Sequence, residues 1–324
     1  MIFFKHKIFK LIVSAGITAL LVYLVVIQFP TISFRDFFNN INLVWLLPVI
    51  GLYLVSTILR AYRYQLLGLR SVGLFRLVNV GFIHFFLSGI LPFRSGEFSF
   101  VYLINKDGKT HISKNISALM LARIMDFFAV VISLIVSLVV VFPEKIKELD
   151  SIVVSAFAVL FFLFLVVIIL LFATEKIGSV IKFFTRLLIR KQELSEKILQ
   201  RWRELSDSLL VLKDWKVFGK TLLVSMVSWA LLYGITAMFL NSLGYFIDYW
   251  PAVFITSFPP IASLIPIGTI GNFGTVEAGW VFGLSALGFG LDLAVALSVA
   301  LHILTILMQI IFSVISAAIL KFSK

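Results

Sequence analysis

Long apolar runs without any charged residue dominate the chain. The runs that contain no Asp, Glu, Lys or Arg are residues 11–29, 41–59, 127–142, 151–173, 221–247, 249–276 and 293–320. A helix crosses the hydrocarbon core of a bilayer in about 20 residues, so most of these runs predict membrane-spanning helices. The first run follows three lysines, but it is long and no small-residue cleavage site follows it. We therefore expect an uncleaved first span rather than a signal peptide.

The basic residues between the runs predict which side of the membrane each connection occupies. Residues 60–76 and 174–216 are rich in Lys and Arg, and the chain also begins and ends with basic residues. Cytoplasmic loops carry an excess of such residues, so these segments and both termini are predicted to be cytoplasmic. Residues 30–40 and 241–250 carry little or no positive charge and are predicted to lie outside.

Two stretches do not fit a simple crossing under this assignment. One apolar run, 77–93, separates the basic loops 60–76 and 105–114, and a single crossing would place those loops on opposite sides. A hairpin that enters from the inside and returns removes the conflict. Residues 249–291, broken in the middle by prolines and glycines, predict a second hairpin that enters from the outside. The alternative is eight or more simple spans with one basic loop on the wrong side.

The predicted fold class is an all-α polytopic membrane protein that forms a single integral membrane domain. It has about six transmembrane helices plus two oppositely oriented re-entrant helical hairpins in an inverted repeat. Residues 1–40 form the first span and outer loop, 41–142 the first repeat, 143–216 a linking span with a cytoplasmic amphipathic segment, and 217–324 the inverted second repeat. Inverted units with broken helices at corresponding places are typical of transporters.

Composition and charge exclude several classes of function. Of 324 residues, 61% are hydrophobic and 14% charged, whereas a soluble domain has about a quarter charged. The net charge of +12 suits anionic lipid headgroups, and no basic stripe interleaved with aromatics suggests nucleic acid. The chain has no cysteine, and it contains no metalloprotease, phosphate-loop or Ser-His-Asp pattern. We therefore expect no enzyme, metal or cofactor, and we interpret His84 and His302 as packing residues.

The first candidate site is the break in the first predicted hairpin. Pro92 cannot continue a helix and Gly96 permits unusual backbone angles. A half-helix starting near Ser95 would direct its N-terminal amides toward the membrane centre, which favours an anion. Arg94 adds a guanidinium that can bind a phosphate with two hydrogen bonds. The alternatives are that Glu97 pairs with Arg94 or caps the helix.

The second predicted hairpin repeats this order of residues. A proline and the glycines Gly271 and Gly274 precede Glu277, which opens an apolar helix. This lone carboxylate is a candidate to relay a proton, bind a coupling cation or pair with Arg94 or Arg123. The alternative is a glutamate that caps a helix at the membrane surface.

Further arginines lie near the predicted inner ends of spans. Arg123 and Asp126 are three residues apart on one helix face, which favours a local ion pair. That pair could also face a cavity and hold the first break in place. Arg60 and Arg63 follow a span and are predicted to anchor it at the inner surface, with headgroup binding as the alternative.

Together these motifs resemble the transmembrane region of the lysylphosphatidylglycerol synthases and its stand-alone, flippase-like relatives. The motifs are R-x-x-R-Y from Arg60, L-P-F-R-x-G-E from Leu91, A-R-x-x-D from Ala122 and G-x-x-G-x-x-E from Gly271, and the resemblance covers nearly the whole chain. It implies movement of lipids or lipid-linked precursors between leaflets. The full synthases carry an aminoacyl-transferring soluble domain after the last span, which we do not expect here because the sequence stops at Lys324. Asn272 stands where the family often has glycine, which predicts a less flexible second break.

The leading hypothesis is a lipid flippase-like transporter in the inner cell membrane. Its expected partners are membrane lipids, either an anionic phospholipid or a polyprenyl-phosphate-linked precursor, and no nucleic acid; a homo-oligomer is left open. The alternatives are a secondary transporter of a small soluble solute and a membrane enzyme with Glu97 or Glu277 as general base. The candidate binding and transport residues are Arg60, Arg63, Arg94, Ser95, Gly96, Glu97, Arg123, Asp126, Gly271, Gly274 and Glu277.

Overall fold

The computed structural model describes most of the two predicted repeats. The described segments are residues 41–92, 95–106, 110–144, 174–188, 214–264 and 269–322, with scattered residues elsewhere. The predicted spans 11–29 and 151–173 and the candidate site residue Arg94 lie outside the described residues.

All regular structure among these residues is helical. The α-helices are α1 (Leu46–Tyr64), α2 (Leu74–Ile90), α3 (Glu97–Asn105), α4 (Ile112–Val141), α5 (Thr174–Leu188), α6 (Trp215–Ser242), α7 (Tyr249–Ala262), α8 (Thr275–Ala286) and α9 (Leu291–Phe322). Short 3-10 helices cover Leu43–Trp45 and Ile270–Asn272, and a π-helix covers Gln65–Leu69. The predicted all-α class is confirmed.

Four helical segments are long and apolar enough to cross a membrane. They are Leu43–Leu69, Ile112–Val141, Trp215–Ser242 and Leu291–Phe322. The shortest has 27 residues, or about 40 Å of helix, against a hydrocarbon core of about 30 Å. Each of the four contains most of one span predicted for the repeats. The chain is thus a multi-pass membrane protein, while the inverted relation between the repeats remains a prediction.

The first span extends further than its charge-free run predicted. α1 ends at Tyr64 and the π-helix continues to Leu69, so Arg60 and Arg63 lie on the helix and not in a loop after it. Arginine is a good helix former, so these two residues need not end the helix. The helical conformation ends at Gly68, where φ is 110°, an angle that glycine adopts without steric cost.

α2 and α3 form a helical hairpin where the first hairpin is predicted, while its re-entry on one side of the membrane remains a prediction. Nη2 of Arg76 donates to the carbonyl oxygen of Leu103 over 2.9 Å, and the rings of His84 and Phe100 lie 5.5 Å apart. Residues further along α2 therefore contact residues earlier in α3, as they do when the chain doubles back. The helices are joined by the break predicted at Pro92 and Gly96.

The second hairpin is formed by α7 and α8, and α8 also packs on α9. A Cβ atom on Gly279 would lie 2.6 Å from the backbone nitrogen of Pro259, and one on Gly283 would lie 2.8 Å from Cα of Ile255. These glycines are four residues apart, so they share one face of α8 and let the backbones of the two helices touch. The helix α7 continues through Pro259 and Pro260 to Ala262, so the break lies later than the first prolines suggested.

The described chain divides into two compact units. One comprises described residues of Met1–Ile58, Val78–Phe100 and Ala230–Lys324, and the other those of Leu59–Leu77 and Val101–Trp229. The first unit contains α7, α8 and the break of the first hairpin. The second unit contains α4 with Arg123 and Asp126, and it also contains Arg60 and Arg63.

α5 confirms a helix in the polar segment between the repeats. Val180, Phe183 and Phe184 on this helix are exposed, whereas Thr185 is buried. Exposed phenylalanines beside basic residues suit a helix that lies in the membrane interface. The second amphipathic helix expected after α5 falls mostly outside the described residues.

Gly96 gives a sharp test of the first hairpin. A Cβ atom there would lie 2.2 Å from the carbonyl carbon and oxygen of Leu87. We therefore expect Gly96→Ala to destabilise the protein by about 1–3 kcal/mol. Gly51 on α1 has open space around it, so Gly51→Ala is the matched control and should be neutral or slightly stabilising. The measurement is Tm in detergent; equal Tm values for the two variants would contradict the close approach of α2 and α3.

Candidate functional site

Asp126 of α4 is the centre of a buried charged cluster in the second unit. Nη1 of Arg63 donates to its Oδ1 over 2.6 Å, and Nη2 donates to its Oδ2 over 3.0 Å. Arg63 is 1% exposed and Asp126 is 7% exposed. This two-fold geometry is the strongest that arginine makes with a carboxylate, and it lets both charges lie between helices.

Two side chains of α6 also form hydrogen bonds with this ion pair. Nε1 of Trp229 donates to Oδ1 of Asp126 over 2.9 Å. Oγ of Ser225 accepts a hydrogen bond from Nη1 of Arg63 over 2.7 Å. The pair therefore joins α1, α4 and α6 through directional hydrogen bonds, and loss of one charged partner would leave the other buried without compensation.

Two more arginines lie beside the pair. The guanidinium carbon of Arg60 lies 5.4 Å from the ring centre of Trp229, a cation–π distance. Nη1 of Arg123 lies 3.9 Å from Oδ2 of Asp126, and its side chain is 37% exposed. Three guanidinium groups thus surround one carboxylate within this cluster, which suits it to an additional anion.

The structure changes two interpretations made from the sequence. The local Arg123–Asp126 pair exists only as the long contact, and the close partner of Asp126 is Arg63, which is 63 residues away. The prediction that Arg63 anchors a span at the surface is wrong, because its side chain is buried. Spacing along one helix reveals neighbours on that helix but not partners on another helix.

In the first break the chain turns after Pro92 and a helix begins close to Ser95, as predicted. Oγ of Ser95 donates to the carbonyl oxygen of Pro92 over 2.8 Å, and the backbone nitrogen of Ser95 donates to the same oxygen over 3.1 Å. α3 then begins at Glu97, which is half-buried. The predicted anion contact of Arg94 stays a prediction, since that residue is not described.

The second break contains three residues with left-handed backbone angles. φ is 70° at Gly271, 53° at Asn272 and 90° at Gly274. The two predicted glycines therefore occupy positions where other residues would be strained. Asn272 is the one non-glycine residue with positive φ in the described chain, and asparagine tolerates this region better than most residues.

Asn272 also bonds to the end of the first hairpin's leading helix. Its Nδ2 donates to the carbonyl oxygens of Ser88 and Gly89 over 3.2 and 3.0 Å. Both carbonyls belong to the last turn of α2, where the helix itself supplies no donor. An asparagine in place of glycine therefore keeps the turn and adds a bridge between the two hairpins inside the first unit.

Glu277 makes two contacts at the start of α8. Its Oε2 accepts a hydrogen bond from the backbone nitrogen of Gly274 over 2.7 Å, which is the helix cap foreseen as the alternative. Its Oε1 lies 2.6 Å from Nδ1 of His302 on α9, and the side chains of Glu277 and His302 are 12% and 7% exposed. The carboxylate thus caps one helix and binds a second one.

His302 was missed as a candidate because it looked like a lone packing residue. Its ring lies 4.7 Å from that of Phe273 in the break, so it contacts the second break as well as Glu277. One signal in the sequence pointed to it. Glu277 lies in a long apolar region where a carboxylate needs a partner, and His302 is the one titratable side chain in the run 293–320.

These features define a polytopic helical membrane protein with ionisable side chains buried among its apolar helices. The chain belongs to the family described as the lysylphosphatidylglycerol synthase TM region, whose model matches residues 8–313, nearly the whole chain. Comparisons with curated proteins and with solved structures give no match. Within the described segments, no group of three His, Cys, Asp or Glu side chains is placed to hold a metal ion.

The ion pair at the centre of the cluster predicts a specific pattern of stability. Asp126→Asn should destabilise the protein by about 3–5 kcal/mol, because Arg63 stays buried without a counter-charge. The double variant Arg63→Met with Asp126→Leu should recover most of that loss, since it removes both charges. Asp292→Asn, an exposed carboxylate at the start of α9, is the control. A double variant no more stable than Asp126→Asn, measured by Tm in detergent, would contradict a paired role.

Proposed function

We propose that this protein is a lipid flippase-like transporter that moves an anionic phospholipid or lipid-linked precursor between the leaflets. The observation that carries the proposal is the cluster around Asp126, in which three guanidinium groups face one carboxylate among helices of membrane-spanning length. An anionic headgroup supplies negative charge to this cluster while its acyl chains remain in the bilayer. Its membrane family is compatible with such a lipid-related role.

The arginines of the cluster have different surroundings, and we assign them different roles. Nη1 and Nη2 of the buried Arg63 are engaged by Asp126 and Ser225, so Arg63 acts as a positioning residue for the three helices. Arg123 is partly exposed and Arg60 is held over Trp229, so these two contact the phosphate of the headgroup. Guanidinium groups suit this task because two of their N–H groups match two phosphate oxygens.

The two breaks have supporting roles in this proposal. The start of α3 at Glu97 directs the positive end of a helix dipole toward an anion in this proposal, and Arg94 is assigned to supply positive charge to the same anion. Glu97 and Glu277 act in gating or in ion coupling. The protein carries out no covalent chemistry in this proposal, works in the inner cell membrane, and has its termini in the cytoplasm.

Transport in proteoliposomes tests the proposal. The purified protein is reconstituted with trace labelled phosphatidylglycerol, polyprenyl phosphate or phosphatidylcholine, and each lipid's exchange between leaflets is timed. We expect the anionic lipids to move faster than phosphatidylcholine. Arg123→Gln should slow them about tenfold, because a hydrogen bond to a charged group contributes about 1.5–3 kcal/mol.

Arg70→Gln is the matched control, since Arg70 is exposed and lies after the π-helix, outside the cluster. Its transport rate should equal that of the unaltered protein. A folded protein that moves none of the anionic lipids would contradict the proposal. Uptake of labelled glycerol phosphate by the same vesicles, without lipid movement, would indicate a transporter of soluble solutes.

A further inference from the structure

The contact between Glu277 and His302 requires a proton between the two side chains. Oε1 and Nδ1 lie 2.6 Å apart, which is a hydrogen-bond distance, and neither a carboxylate oxygen nor an unprotonated ring nitrogen is a donor. With that one proton in place the pair carries a charge of −1. A second proton, taken up at Nε2 of His302, makes the pair neutral.

Few other titratable side chains belong to the helices that hold this pair. In α7, α8 and α9 they are Tyr249, Asp292 and Lys321, each at or next to a helix end. Asp292 is ten residues before His302 on α9, or about 15 Å along the helix axis. The described residues of the same unit also include Tyr53, His84, Glu97, Tyr233, Tyr245 and Asp248, and the ring of Tyr53 packs against Phe312 of α9. A net charge on the pair is costly in an apolar setting.

The pair is mechanically linked to the second break. Glu277 holds the backbone nitrogen of Gly274, and the ring of His302 contacts that of Phe273. The preceding residue, Asn272, holds the carbonyl oxygens at the end of α2. Three consecutive residues of the break are thus fixed, two by the pair and one by the first hairpin.

We propose that Glu277 and His302 form a proton-binding site that couples proton movement to motion of the second break. When both protons are bound, the neutral ion pair of carboxylate and imidazolium holds the break against α9. Loss of the proton from Nε2 leaves a net negative charge, which weakens that attachment and releases the break. The inference rests on the proposed lipid transport, for which it names the coupling ion.

A pH gradient across the proteoliposomes tests the coupling. One proton coupled to each lipid shifts the steady-state leaflet ratio of a trace anionic lipid about tenfold for each pH unit. Glu277→Gln and His302→Gln should each abolish this response. The matched controls are Asp292→Asn and His111→Gln, both at exposed positions, and they should keep it.

The outcomes separate this inference from the proposed function. If the lipid is transported but its leaflet ratio does not respond to the pH gradient, and both pair variants behave as the controls do, the inference is wrong. The flippase proposal would still hold. A response lost in both pair variants alone supports the inference. The complete absence of lipid movement overturns the flippase proposal, and the following measurement then decides the proton site by itself.

Nitrogen NMR of histidine-labelled protein in nanodiscs observes the pair directly. The chain has 4 histidines, so the signal lost in His302→Gln identifies His302. We expect Nδ1 to carry a proton, Nε2 to bind a second proton as the pH is lowered, and Glu277→Gln to alter both signals. Hydrogen exchange at residues 269–277, corrected for its intrinsic pH dependence, should slow as Nε2 is protonated. A ring that keeps one protonation state, or exchange unaffected by Glu277→Gln, overturns the proton site.

Discussion

The bilayer satisfies no polar group, and the described structure follows from that constraint. Every helix that breaks inside the membrane leaves carbonyl and amide groups that the protein itself must satisfy. Asn272 donates to the carbonyls at the end of α2, and Glu277 accepts from the amide that opens α8. The same constraint places two-fold hydrogen bonds between Arg63 and Asp126. These buried polar side chains therefore lie where helices end or where helices meet.

The spans and hairpins follow from patterns that act locally, and the sequence predicted them well. Charge-free runs marked most of each of three spans and the second half of the fourth, Ile112–Val141, and the order of proline, glycine and glutamate predicted both breaks. The helix ends were less predictable. α1 continues through Arg60 and Arg63 because Asp126 and Trp229 give these side chains partners, so contacts distant in sequence outweigh the local signal there. α7 continues through two prolines.

The sequence left most pairings of side chains within the site undetermined. Arg123 lies three residues before Asp126 and looked like its partner, but Arg63 has the side chain that reaches both carboxylate oxygens. His302 looked isolated because its partner lies 25 residues earlier on another helix. The sequence predicted only that Asn272 makes the second break less flexible. In the structure its side chain bonds to the end of α2, which glycine could not do. One sequence records which residues exist, and only the fold determines which of them meet.

In the proposed function, the arginine cluster around Asp126 binds the headgroup of an anionic lipid. An experimental structure in nanodiscs that contain an anionic phospholipid would decide whether it does. We expect phosphate density within hydrogen-bond distance of the guanidinium groups of Arg60 and Arg123, with acyl chains extending from it into the bilayer. Well-ordered arginines with no lipid density beside them, and phosphates only at the membrane surfaces, would contradict it.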